Sequence, residues 1–304
     1  MKFKKVASWS IGIALAITCT ATPFITRDKQ NKQPQKKTEV RPSIRTRIDT
    51  INVTDEQFEK FKCKYAAGEF KAHNNTIVIY YFNPQSNNPK IHRYCNNNNN
   101  LIPLTIRHET EHARKASLTK NVSKFDSFTR GRIAAMNEIM APAAEIIEAI
   151  DYRHENHKAF PTQKSIIKNA DKQIVNTTND SLRYAPADFN QEHIADIVLE
   201  NALQRFLSET ARGTYIGTIR REMNNRSAKK YTPNNQCAKL QEALFLPNSG
   251  MWAPMWEFES KKGPVNLWIA ASTKQRQRIL NSVDSTISKI AGKNTHFLKN
   301  WNSR

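Results

Sequence analysis

Acidic residues are scarce in this chain: 27 Asp and Glu face 47 Lys and Arg, a net charge of +20 over 304 residues. An excess of that size argues for anionic partners such as nucleic acid, acidic lipid or cell-wall polymer, or for solubility alone, and it dictates no fold. No specific nucleic-acid partner is predicted. Cysteine is also sparse, with four in the chain. If Cys19 is lost with the N-terminal segment, Cys63, Cys95 and Cys237 remain. An odd number in an oxidising compartment is accounted for most simply by one disulfide, Cys63 with Cys95 as the preferred pair, and one free thiol. Three isolated buried thiols are the alternative. The apolar run Val6–Thr18 is too short and too interrupted to predict a spanning helix.

That run follows the basic start Met1-Lys2-Phe3-Lys4-Lys5 and precedes the small residues Cys19-Thr20-Ala21, the pattern of a secretory signal with Ala21 as its last residue. Its removal leaves a net charge of +17. The expected location is therefore outside the cytoplasm, secreted or periplasmic. The chain would instead be membrane-anchored if the segment stays or if Cys19 carries a lipid.

An apolar share of 38% is enough for a real core and excludes a wholly disordered chain. Four stretches are expected: a signal over 1–21, a basic linker over 22–47, a catalytic core over 48–158 and a helical C-terminal region over 159–304 that completes the domain. The linker is rich in Lys, Gln, Pro and Arg and has too little apolar surface to offset its ordering entropy. Thr54-Asp55-Glu56 reads as a helix start running to about Tyr65. The run Thr76–Phe82, TIVIYYF, is β-branched and aromatic throughout and is the one convincing strand. Residues 83–100 read as a loop. Helices are expected over Leu101–Ser117 and about Arg130–Tyr152, the second kinked or broken at Pro142. Further helices are expected near Gln163–Val175, Gln191–Thr210, Tyr215–Asn225, Cys237–Phe245 and Thr273–Ala291. The fold class is α+β and mostly helical, with a small sheet.

The first of these helices carries His108-Glu109-Thr110-Glu111-His112. Positions four apart share a helix face, so His108 and His112 can offer both imidazoles to one tetrahedral zinc ion. Glu109 projects about 100° away, beside the ion rather than on it, where it can take a proton from an attacking water. Such a pentad arises by chance in about one in a hundred chains of this composition, so its setting matters. Glu109 falls in line with Ile102, Ile106 and Ala113, on a stripe that a purely structural helix would fill with Leu or Ala. The alternative is two solvated histidines on an amphipathic helix.

A catalytic zinc needs a third protein ligand. Glu138, Glu145, Glu148, Asp151, His154 and His157 lie downstream. Asn137-Glu138-Ile139-Met140-Ala141 is similar to the Asn-Glu-x-x-Ser/Ala segment of the gluzincin peptidases, the thermolysin-like clan, and it follows the pentad in the right order. The resemblance covers about Thr76–Tyr152. It implies a zincin-like core, with a small sheet, the pentad helix against it and a second helix bringing Glu138 to the metal. It further implies a metallopeptidase acting on protein or peptide substrates, with His108, His112 and Glu138 as zinc ligands and Glu109 as the base. Where that family carries an aspartate behind a ligand histidine, this chain has Pro142, and Glu145 is the available substitute. The third histidine of the metzincin pattern is absent from Ala113–Thr119.

The family also implies a later His or Tyr that donates to the oxyanion. Tyr152, His154, His157, Tyr184 and His193 are eligible, and none has a defining spacing. The stretch Asp151–His157 is an alternative second metal site. Lys274–Leu280 is basic and amphipathic, and Trp252, Trp256, Phe258 and Trp268 are either a stacking surface for a membrane or single strand or, more simply, core. The competing function is a non-catalytic basic exported protein that binds membrane, cell wall or nucleic acid.

Overall fold

The computed structural model describes residues 46–54, 68–82, 101–118, 125–178, 191–224, 255–261 and 263–292. The expected signal, nearly all of the linker, the helix after Thr54, the 83–100 loop, the three later cysteines, Tyr184, the Cys237–Phe245 helix and Trp252 lie outside them.

TIVIYYF forms the central strand of a three-stranded sheet. It is β3 (Thr76–Phe82), flanked by β1 (Arg47–Val53) in parallel and β2 (Gly68–Lys71) antiparallel, in the order β1-β3-β2. Thr76 through Tyr80 are all buried, as expected of a strand covered on both faces. The turn between β2 and β3 ends at Asn75, whose φ of 52° is the left-handed conformation that asparagine tolerates. β1 and β2 had no legible strand signal. RIDTINV is largely exposed and GEFK is four residues long, so neither carries a clean buried alternation.

Helix α1 (Ile102–Leu118) packs on β2 and β3 and on helix α2 (Ser127–Asn156). α2 is the hub of the fold. At 30 residues it is about 45 Å long. It is also apolar around most of its circumference, the pattern of a helix buried on every side. Asp126 caps it, accepting from the Thr129 amide at 2.7 Å. Its alanines let neighbours approach closely, and around it lie α3 (Ser165–Thr178), α4 (Glu192–Ala211), α5 (Ile216–Met223) and α7 (Thr273–Ala291). A short helix, α6 (Leu267–Ala270), leads into α7.

Pro142 does not break α2. The helix continues through it for another fourteen residues, because packing outweighs the roughly 3 kcal/mol cost of an interior proline. The missing amide is the one that would have bonded the carbonyl of Glu138.

The C-terminal region is not purely helical. An antiparallel hairpin, β4 (Glu257–Ser260) with β5 (Gly263–Asn266), is strapped across α1. Arg107 donates to the Glu259 carbonyl at 2.6 Å and Arg114 to that of Glu257. Trp256 stacks on Trp268 with centroids 5.6 Å apart, and both are buried with Phe258. These three aromatics are core, the simpler of the two expectations. The basic run of α7 likewise turns Gln275, Ile279 and Leu280 inward and Lys274, Gln277 and Arg278 outward. Among the described residues no helix is long and apolar enough to cross a membrane.

Candidate metal centre

α1 is enclosed on three sides, which distributes the pentad. Thr105, Glu109 and Ala113 line one buried row. Leu104, Glu111 and Lys115 line another, under the hairpin, where Lys115 sits 4.9 Å from the Phe258 ring centre. Glu111 is 2% exposed and gathers three basic side chains, Arg114 at 3.0 Å, Arg107 at 3.5 Å and Lys115 at 3.8 Å, so this carboxylate holds structure together.

His108 and His112 face α2. Their rings meet edge to face with centroids 4.9 Å apart. Glu138 and Glu145 lie seven residues, about two turns, apart on one face of α2 and meet the two rings differently. The Glu138 Oε2 is 3.9 Å from Nε2 of His112, and one donor atom from each of His108, His112 and Glu138 lies within 4.8 Å of the others. Among the described residues this is the only such grouping of potential metal ligands. The Asp151–His157 stretch does not form one: Asp151 is buried and accepts from the Lys261 amide, and His157 is an exposed left-handed cap.

Glu145 takes the other side of His108, with Oε1 at 2.7 Å from Nδ1 and Oε2 at 2.6 Å from the Lys164 ammonium. An ionised carboxylate only accepts, so Nδ1 carries the proton and Nε2 is left for a metal. Glu145 thus stands directly behind His108.

The electrostatics set the two rings apart. Burial, aided by the neighbouring His108 cation, lowers His112 to about 3, which keeps its lone pair free. Burial acts on His108 in the same direction, but the Glu145 hydrogen bond and charge outweigh it and raise its pKa. Burial pushes Glu145 up, and Lys164 and His108 together more than reverse this, to about 2. Glu138 has no such cation in contact, and burial raises it to about 7.

Donors at about 2.0–2.1 Å from a tetrahedral zinc stand about 3.3 Å from one another. The three donors here are therefore within a small side-chain adjustment of that arrangement, and two imidazoles with one carboxylate suit zinc.

Glu109 is 8% exposed, and burial raises its pKa. Its carboxylate accepts from the backbone N–H of Phe70 on β2, which ties this side chain to the sheet. Gly68 on the same strand permits the approach. A Cβ there would stand 2.8 Å from Thr105 Cγ2 on α1 and 3.0 Å from the Val78 carbonyl oxygen.

Among the described residues, the tyrosines and histidines singled out from the sequence have other surroundings, and His157 is exposed. Tyr152 packs on Phe160 at 4.9 Å and His193 is exposed. Tyr215, between α4 and α5, lies close enough to Glu138 to feel its charge. Burial raises its phenol well above the usual range, followed by the negative charge of Glu138; Arg205 opposes this, and Glu209 and then Glu145 add smaller upward effects. Stacking on Phe206, centroids 5.9 Å apart, fixes the ring. No local pattern marks Tyr215, which follows the turn at Gly213 and reads as an ordinary helix start.

Comparison with protein-family models, with curated proteins and with solved structures finds no match for this chain.

Proposed function

We propose that this chain is a zinc-dependent metallopeptidase of the gluzincin type, with a zincin-like arrangement of strand, pentad helix and ligand-bearing second helix. The observation that carries the reading is the convergence of His108, His112 and Glu138, from two helices and 25 intervening residues, on one point beside a buried Glu109. A chance pentad has no reason to meet a third ligand.

His108, His112 and Glu138 would hold the zinc, which when bound makes water nucleophilic near neutral pH and polarises a carbonyl. Glu109 takes the proton from the attacking water and returns it to the departing amine nitrogen. Its raised pKa suits a group that must do both. The Tyr215 hydroxyl stays protonated and donates to the oxyanion as it forms. The substrate is a protein or peptide, and the basic leader points to export and to work beside an anionic membrane or cell wall.

The test is metal content with one substitution. Purified chain should hold about one zinc, and Glu109→Gln should keep the zinc and the fold while peptide hydrolysis disappears. A metal-free, chelator-free preparation rejects the proposal. Metal retained with a silent Glu109→Gln means a structural zinc site.

A further inference from the structure

The proposed ligand set leaves Lys164 unexplained. Its ammonium is mostly buried, at 18% exposure, and lies 2.6 Å from Glu145, directly behind His108. A cation near a dication site should weaken metal binding by Coulomb repulsion alone. Yet its placement is built. The Lys164 amide donates to Thr162 Oγ1 at 3.0 Å, and Thr162 is itself buried. The Thr162 amide donates to the Phe160 carbonyl at 2.8 Å, and Phe160 packs on Tyr152 of α2. The Lys164 carbonyl then accepts from Lys168 as α3 begins. The backbone on both sides of this side chain is therefore fixed, and the side chain points at one carboxylate oxygen.

We infer that Lys164 is a positioning residue for the metal centre: it clamps the far oxygen of Glu145 so that the near one holds the His108 ring with Nε2 toward the metal. The inference rests on the zinc-site reading above. A carboxylate held by two donors on opposite sides has little freedom to rotate. Without Lys164 the 2.7 Å bond to Nδ1 has nothing to oppose its swinging away, and the ring loses its orientation. Outer partners of metal-bound histidines are commonly worth 10- to 100-fold in affinity.

The two roles available to Lys164 predict opposite signs. Zinc affinity of the full chain is measured by competition with a chromogenic chelator for wild type, Lys164→Met, Lys164→Arg, Glu145→Gln and the Glu145→Gln/Lys164→Met double variant. Positioning predicts that Lys164→Met weakens zinc at least about tenfold, Lys164→Arg stays within about threefold of wild type, and Lys164→Met adds nothing in the Glu145→Gln background. The absorption of the cobalt-loaded protein should shift in Lys164→Met and not in Lys164→Arg. Unchanged or tighter zinc in Lys164→Met overturns the inference, as does full additivity in the double variant. If Lys164→Met fails to fold, Lys164→Gln takes its place with the same expected loss. Wild type that binds no zinc fails the underlying reading as well, which sets that outcome apart from tight wild-type binding with an indifferent Lys164.

Discussion

Glu109, Glu138 and Glu145 are all buried carboxylates within one site, and what touches each decides its charge. Glu145 faces two cations and stays ionised. Glu138 faces none at contact distance and is held up to about 7, against 4.5 for a free side chain. The folded chain therefore binds a proton that the unfolded chain has released. The associated stability is complete below about pH 4.5 and is lost as pH rises through 7. Chelator-stripped wild type should lose about 3 kcal/mol between pH 4.5 and pH 8 relative to Glu138→Gln, in which this slope is absent, read by urea denaturation across that range. Tyr215 belongs at the same scale. Tyr215→Phe removes one hydroxyl and leaves the stacked ring, so kcat should fall about a hundredfold with zinc content unchanged. Loss of zinc in that variant would mean that Tyr215 supports the ligands instead.

Among the elements, α1 shows how far local pattern carries. The spacing of His108 and His112, and the limits of the helix to within one residue, were legible because both follow from the helical period. Glu138, the proposed third ligand, was legible only through an analogy of motif. Five downstream alternatives to Glu138 had equal claim on residue type, and the packing of α2 on α1 separates them. The position of Glu145, about one turn beyond Pro142, suggested a supporting role, and the sheet edge that receives Glu109 had no signal, since GEFK is too short to show one. That edge gives a test. Gly68→Ala forces β2 away from α1 because Thr105 is buried and the Val78 carbonyl is backbone. The variant should be destabilised by about 1–3 kcal/mol in thermal or urea unfolding. It should also lose the proposed peptidase activity beyond what its folded fraction explains, because Phe70 carries the amide that holds Glu109.

For the whole molecule, the proposed zinc would join α1 to α2, the helix on which most other elements pack. Ligand binding to the folded state alone stabilises it by mass action, about 2.7 kcal/mol at a free concentration a hundredfold above Kd. Zinc should accordingly raise the melting temperature of wild type by several degrees, more at pH 8 than at pH 6 because Glu138 must release its proton to bind. His112→Ala should show no rise. Calorimetry with and without a chelator reads both.

The sequence by itself determined the helices with strong periodicity, the central strand, the mostly helical α+β class and the pair of histidines, because each is set by neighbours within a turn or two. Tertiary structure decided which of the downstream acids lies within reach of the histidines, that Lys164 stands behind Glu145, that Tyr215 comes near Glu138, and that Trp256 and Trp268 form core. Each of those is a meeting of residues remote in sequence. It depends on how α2 lies against α1 and where the hairpin and Tyr215 come to rest, and side-chain periodicity carries no record of a partner on another element.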